Sequence, residues 1–498
     1  MPLPITRLCF AAILIASGVL GIVCAAGATG LAPLLPRGGT VPGNDAAAGT
    51  FRPLVESLPT EAWRVAAHPT GFVPITNLPT EDVDVVEVTG AVATPVPTAV
   101  WPTEGALHFI DEGAMPPFVY ASFPTLSPNI SGVDFVTNGT VGAFASLGYL
   151  YVYDMSVPAN TFSVALPGTP ARRDIDPILV DGGAGVIYAT GTEIHRVSTA
   201  TGAILWTTPL PSPVVEAVDP VVNAADTMMF VPTEGWMTVI NPVSGAVISS
   251  TFLGTPLVRE VDARLAAGDG LCYLPASGSL FVFSGATGAL ITTLPLTSPL
   301  IEGNDMEIDP TGTWGMLPTL ANMYQVNLAG MFFAATYPLP GAVHQRNQDA
   351  VFTQPSSGSQ LALYPVQGMC FTFDLAAFVN YGPVATPGVL VDGVDAAMTD
   401  VAPSGTIAVL STLGWTHVIN MLTGSVTTLA TPGVLRTDVD PKPGPLPGNR
   451  ILQPTIGGLL YVDGFAPNEW VVTTSMGLHV VDVAAAMVSE FIPMGALA

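Results

Sequence analysis

The side chains in this chain best suited to chemistry are carboxylates, and they recur in pairs. Asp82/Asp84, Asp174/Asp176, Glu216/Asp219, Glu260/Asp262, Glu307/Asp309, Asp392/Asp395 and Asp438/Asp440 are spread through the sequence at similar intervals. Six of the twelve arginines share these segments: Arg172, Arg173, Arg259, Arg264, Arg346 and Arg436. Hard carboxylate oxygens suit Ca²⁺, and carboxylate–guanidinium clusters also hydrogen-bond polyhydroxyl ligands. The densest stretch is Glu302-Gly-Asn304-Asp305-Met-Glu307-Ile-Asp309. Asp305, Glu307 and Asp309 are therefore the candidate metal ligands, with Ca²⁺ as the candidate cation, although the spacing is not that of a calcium loop. No other cofactor is indicated.

Other chemistry is thin. The six histidines, His68, His108, His195, His344, His417 and His479, show no pairing at three- or four-residue spacing, so no local zinc site is written. No nucleophile elbow, phosphate loop or haem attachment pattern appears. His344 precedes a repeat start and is the one histidine placed to face a central site; His195 and His417 read as satisfied sheet residues. Trp236 and Trp415 each follow a turn glycine and read as packing between repeats, with sugar stacking as the alternative. Cys272 and Cys370 lie in apolar runs and read as small buried hydrophobes without a disulfide.

Composition narrows the class. The chain has 498 residues, 13 basic against 38 acidic, a net charge of −25, and one lysine, Lys442. A nucleic-acid partner is excluded, because no basic patch can be assembled from so few cations. Charged residues are only 10% and hydrophobic ones 49%, which is enough apolar content for a large core and rules out wholesale disorder. The 48 prolines would break almost any array of helices.

The pairs belong to a repeat. An Asp after an apolar residue recurs at Asp84, Asp134, Asp176, Asp219, Asp262, Asp309, Asp395 and Asp440, with Asp349 in phase after Gln348, about 44 residues apart on average. Turns ending at Gly202, Gly245 and Gly288 repeat with the same period, and Gly424 continues them. Each unit holds a short segment after the Asp, two β-rich runs such as Leu271-Cys-Tyr-Leu274 and Leu280-Phe-Val-Phe283, and an outer Thr-rich run such as Ile291–Leu296. Four short strands at this period predict a propeller blade. The expectation is an all-β fold, a single β-propeller of about eight four-stranded blades within a range of seven to nine. The segment joining the outer strand of one blade to the innermost strand of the next then converges on one face. That face gathers Arg173, Asp176, Glu216, Asp219, Arg259, Glu260, Asp262, Arg346, Arg436, Asp438 and Asp440 around the axial channel, with the turns at Glu104, Glu193 and Glu234. Any single Asp there reads structurally as a turn cap, and Asp–Arg pairs as ties between blades. Read functionally, the set is a net-negative funnel for a ligand.

Ser198-Thr-Ala-Thr-Gly202-Ala-Ile-Leu-Trp206 resembles the propeller repeat of pyrroloquinoline-quinone dehydrogenases, and the Pro403-Ser404-Gly405 turn before a β run resembles the YVTN repeat of surface-layer propellers. The resemblance spans about residues 83–498 and implies a fold superfamily. The vicinal cysteines of the dehydrogenases are absent and only Trp206 matches their repeated tryptophan, so the resemblance does not carry quinone chemistry. The repeats, the low charge, the missing catalytic constellation and the N-terminal signal described below point instead to a secreted or cell-surface propeller with a binding or structural role, whose partner is a protein, a glycan or a further copy of itself. The competing reading is a metal-dependent propeller enzyme, a lactonase-like hydrolase or a lyase, with its site in the funnel.

The N-terminus sets the compartment. Arg7, an uncharged run from Leu8 to Ala28 and the Ala26-Gly-Ala28 end predict a secretory signal over 1–28, cleaved before Thr29. Uncleaved, the same run is just long enough for a membrane anchor. Residues 29–50 read as a Gly/Pro/Ala linker, 51–82 as an extension able to supply a ring-closing strand, and 83–498 as the propeller. Asn129-Ile-Ser131 and Asn138-Gly-Thr140 match the glycosylation pattern.

Overall fold

The computed structural model describes the chain from Asp84 to Pro493 apart from short connecting segments, with side chains between Val100 and Thr428. The predicted signal, linker and extension (1–82) lie outside the described residues, as do Arg173, Arg436, Asp438 and Asp440.

The described chain is all β, with eight successive four-stranded antiparallel sheets and a six-stranded sheet, Lys442 to Pro493, after them. Every four-stranded sheet pairs its strands in sequence order, as in blade 4: Val221–Val222, Met229–Thr233, Trp236–Ile240 and Val247–Phe252. No α-helix occurs among the described residues, and none there is long and apolar enough to cross a membrane. The propeller of about eight blades is therefore present. The innermost strand of blade 1, Asp84–Val88, lies beside Lys442–Pro443 of the last sheet, and Ala396–Met398 of blade 8 lies beside that segment too. Adjacent innermost strands thus run round to meet the first.

Local sequence explains the blades. The second and third strands are β-branched and aromatic and are buried on both faces, for example Leu271–Ala276 and Ser279–Ser284 of blade 5. The outer strand alternates between contact and solvent, for example Leu290–Pro295. The innermost strand is two or three residues long in blades 2 to 8, which brings the blade-start segments close to the axis. Cys272 and Cys370 are free and fully buried in their sheets, and burial pushes the Cys370 thiol up to about 12.

The turn glycines lock neighbouring blades. Gly245 has φ +73°, and a Cβ there would stand 2.7 Å from Cδ2 of Trp206 in the outer strand of blade 3. Trp206 Nε1 donates to the Val243 carbonyl at 3.1 Å, Thr208 Oγ1 to the Gly245 carbonyl at 2.6 Å, and Arg196 Nη1 to Val243 O at 2.9 Å. Blade 3 therefore grips the Val243–Gly245 turn of blade 4 through three side chains. Phe162 of blade 2 covers Gly202 in the same way, and Ser249 Oγ of blade 4 reaches Gly288 O at 3.1 Å.

Candidate functional site: the axial face

Six hydrogen bonds of one type join the blade starts from blade 2 to blade 8. The N–H of Asp134 donates to the Asp176 carboxylate at 2.7 Å, Asp176 N–H to Asp219 at 2.8 Å, and Asp219 N–H to Asp262 at 2.6 Å. Asp262 N–H then donates to Asp305 at 2.6 Å, Asp305 N–H to Asp349 at 2.6 Å, and Asp349 N–H to Asp395 at 2.5 Å. Each of these N–H groups stands just before an innermost strand, where no sheet neighbour exists to accept it. The carboxylate of the next blade supplies the acceptor.

A second tier lies two residues earlier. Glu260 N–H donates to Glu216 O at 3.3 Å, Gly303 N–H to Arg259 O at 3.1 Å, and Gly393 N–H to Arg346 O at 3.1 Å. Among the described residues, the one two before a ring Asp takes a left-handed conformation: Gly132, Ala217, Glu260, Gly303, Asn347 and Gly393. At Gly303 a Cβ would collide with Asn347, so glycine is required there.

Charge gathers on this frame in two groups. In the first, Arg264 donates to Asp305, to Asp262 at 3.2 Å, and to Glu307 at 3.1 Å through Nε and 2.9 Å through Nη2. Asp305, Glu307 and Asp349 offer oxygens that lie within 4.8 Å of one another. Burial lifts the Asp305 and Asp349 carboxyls well above the usual range, and the neighbouring Asp395 and Asp305 carboxylates lift Asp349 further. Burial also raises Asp262, against the opposing pull of Arg264. In the second group, Arg259 meets Glu216 at 3.0 Å and Glu302 at 3.3 Å, while Arg346 meets Glu302 at 3.3 Å. Glu260, buried between these two guanidiniums, lies 3.8 Å from Arg259 and 3.9 Å from Arg346.

Of the sequence-predicted residues, Asp176, Glu216, Asp219, Arg259, Glu260, Asp262 and Arg346 thus stand together at the blade starts. Asp305 and Glu307 join them. Asp309 does not: its carboxylate accepts N–H groups of Thr311, Thr313 and Trp314, at 3.2, 2.8 and 2.6 Å, and caps the hairpin that leads into Trp314–Pro318. Asp349 takes the third position beside Asp305 and Glu307. The physical reason is register, since the ring Asp lies two residues before the innermost strand and Asp309 lies just after it. Asp84 likewise falls inside the first strand rather than before it. The Glu234 turn reaches this face, its N–H donating to Pro213 O at 2.9 Å beside the segment that leads to Glu216.

The histidines serve the sheets. Three blades carry Thr at one position, His five residues later and a hydroxyl on the outer strand. Thr103–His108–Ser122, Thr190–His195–Thr207 and Thr412–His417–Thr428 each join through both ring nitrogens at 2.8–3.1 Å. Burial lowers His108 and His417 to about 4 and also lowers His195, so the rings are neutral at pH 7. His195 and His417 are thus the satisfied sheet residues that the sequence predicts, and the Thr-x₄-His spacing is the sequence signal for their partner. His344 Nδ1 meets the Tyr364 hydroxyl at 3.0 Å, and that hydroxyl also accepts from Asn304 Nδ2 at 2.7 Å. Trp236 packs on Phe252 of its own blade with ring centroids 5.1 Å apart.

The two acceptor asparagines are engaged. Asn138 Nδ2 donates to Gly182 O at 3.0 Å across the blade boundary, while Asn129 Nδ2 donates to Thr103 O at 2.5 Å.

Exposed apolar side chains flank the ionic groups: Leu320, Val343, Val389 and Leu413. Gln367 ties three of them into one patch. Its N–H donates to Val343 O at 2.9 Å and its Nε2 to Gly388 O at 2.9 Å, and Leu413 N–H donates to Val389 O at 2.9 Å.

Residues 169–317 match the PQQ-like repeat model described as outer membrane protein assembly factor BamB. Among solved structures, the chain is similar to BamB from Moraxella catarrhalis at 12% identity, covering 72% of this chain and 99% of that one with a TM-score of 0.46. It is also similar to the dihydro-heme d1 dehydrogenase NirN (14% identity, 88% and 76% covered, TM-score 0.46). A europium-containing methanol dehydrogenase is a third such structure (11% identity, 77% and 84% covered, TM-score 0.45). No curated protein matches the chain by sequence. The resemblance read from Ser198–Trp206 falls inside the matched stretch, and residues 169–317 are a run of PQQ-like β-propeller repeats.

Proposed function

We propose that the chain is a secreted or cell-surface propeller that binds a partner protein on its axial face. One observation carries this reading: the patch of Val343, Val389 and Leu413 on the face that also bears Glu302 and the part-exposed Arg259 and Arg346. Exposed apolar side chains beside part-exposed charges are a composition suited to binding a protein. The similarity of residues 169–317 to BamB, an outer membrane assembly factor by its description, supports a role as a scaffold in the cell envelope. A glycan is the second ligand class that the acidic funnel suits.

The test has two arms. The mass of the mature chain recovered from its host is expected to start at Thr29, in the envelope or the medium; an uncleaved chain in the cytoplasm overturns the location. Cross-linking mass spectrometry is expected to join one envelope protein to wild type and not to the folded Val343→Asp/Leu413→Asp variant. An unchanged cross-linking pattern overturns the binding face.

A metal-dependent hydrolase or lyase is the second reading, and the approach of Asp305, Glu307 and Asp349 favours it. Against it, Arg264 already supplies a positive charge to two of these carboxylates. Retention of one Ca²⁺ or Mn²⁺ per chain, lost in Asp349→Asn, would move the balance to the enzyme.

A further inference from the structure

The outer strand of each blade has one sheet neighbour, so its other edge carries unpaired backbone groups. Soluble proteins blunt such edges with charge, lysine above all, or with proline. None of the fourth strands of the eight four-stranded sheets contains a charged residue. Five of them contain proline: Pro124, Pro209, Pro295, Pro338 and Pro383. Val247–Phe252 of blade 4, Val-Ile-Ser-Ser-Thr-Phe, is six residues long and has neither device. Among the described residues of the outer strands it also has the most exposed apolar side chain, Phe252 at 64%, with Val247 at 51% and Ile248 at 43%.

We propose that this edge pairs with the same edge of a second copy of the chain. A two-fold axis perpendicular to the sheet makes the strands antiparallel and sets residues of one face opposite residues of the same face. Centred on Ser250, it places Ile248 of one copy opposite Phe252 of the other, and Ser250 opposite Ser250. These three are exposed and alternate along the strand, so a single register matches a β-branched residue to an aromatic twice and a small hydroxyl residue to itself on the axis. Charge argues for the same occupant. Two chains of net charge −25 approach only through a neutral surface, and Pro242–Gly254 contains no ionisable side chain. A lipid surface would leave the edge N–H and C=O groups unsatisfied, whereas a second strand bonds them.

The pairing goes beyond the axial reading and does not depend on it. Sedimentation velocity of the full mature chain over a range of concentrations is expected to show a monomer–dimer equilibrium. Ile248→Lys sets a cation against Phe252 twice per dimer, so dissociation should strengthen by about tenfold or more. Ser250→Lys gives up the 3.3 Å bond of Ser250 Oγ to Thr238 Oγ1 and should weaken the dimer to the same degree, whereas Ser250→Ala gives up that bond without adding charge and should leave the dimer in place. Ile291→Lys, on the outer strand of blade 5, should leave the equilibrium as it is, and so should Val343→Asp/Leu413→Asp. A wild-type chain that stays monomeric at every concentration overturns the proposal. So does a dimer that survives Ser250→Lys.

Discussion

The carboxylate of Asp349 accepts the backbone N–H of Asp305 at 2.6 Å, and Asp349 in turn donates its own N–H to Asp395 at 2.5 Å. Asp176, Asp219, Asp262, Asp305 and Asp349 are thus each an acceptor for the blade before and a donor to the blade after. The acidic repeat that looks like a ligand funnel in sequence is first of all the fastening of the ring.

Removing one acceptor tests this. Asp219→Ala leaves the Asp176 N–H without its partner and is expected to cost about 1–3 kcal/mol, whereas Asp219→Asn keeps an oxygen in place and should cost clearly less. Urea denaturation of the two variants beside wild type makes the comparison. Equal losses would remove the hydrogen bond as the cause.

The neutral histidines give an acid-side dependence. His108 and His417 titrate near 4 in the folded chain and near 6.5 when unfolded, so between these values the unfolded chain binds more protons. Stability from these groups is complete above about pH 6.5 and is lost as pH falls toward 4, by roughly 3 kcal/mol for each fully titrated ring. Unfolding free energy measured from pH 7.5 to 4 should fall less in His417→Asn than in wild type.

Asp349 acts with the opposite sign. Its folded carboxyl titrates well above its unfolded value, because of burial and the neighbouring carboxylates. Its contribution is complete below the unfolded value and is lost as pH rises through the folded one. Asp349→Asn keeps the oxygen that accepts Asp305 N–H and removes the charge. The stability difference, variant minus wild type, should therefore grow as pH is raised, read by denaturant titrations at pH 5, 6.5 and 8.

Arg264 holds the crowded carboxylates together. Arg264→Gln removes the cation shared by Asp262, Asp305 and Glu307, and the loss of stability should be larger at pH 8 than at pH 5. A loss independent of pH would mean that packing rather than charge is the role of this side chain.

At the blade 3–4 boundary, Gly245→Ala meets both the Trp206 ring and a left-handed backbone. The loss should exceed the ~1 kcal/mol ordinary for alanine at positive φ, and Trp206→Ala in the same chain should recover part of it. Thermal melts of the single and double variants decide.

The blades were legible because each repeats a chemical need: an acceptor for a stray N–H, a glycine under a neighbour's ring, and β-branched strands between them. In blade 6 the sequence marker falls out of register for a physical reason. The marker was an apolar residue before Asp, which Ile308-Asp309 satisfies, whereas the ring member follows Asn304. Asn304 is fully buried and bonds Tyr364, and its Oδ1 accepts the Gln348 N–H at 3.4 Å. Polar residues at two adjacent blade starts support each other, and no local sequence pattern announces such a pair. The Thr–His–hydroxyl relays escaped for a different cause, because their third member lies on another strand. The apolar patch around Gln367 was invisible because it is assembled from three separate segments.

The blade-start bond has a further consequence for how such a chain grows. Because the same carboxylate-to-amide link joins each pair of neighbours from blade 2 to blade 8, an added unit of some 43 residues arrives with both halves of its fastening already encoded. Duplication or loss of one unit leaves every remaining junction chemically intact. The permitted number of units is then fixed by the geometry of closing the circle, and lineages that carry this junction can change size without inventing new contacts.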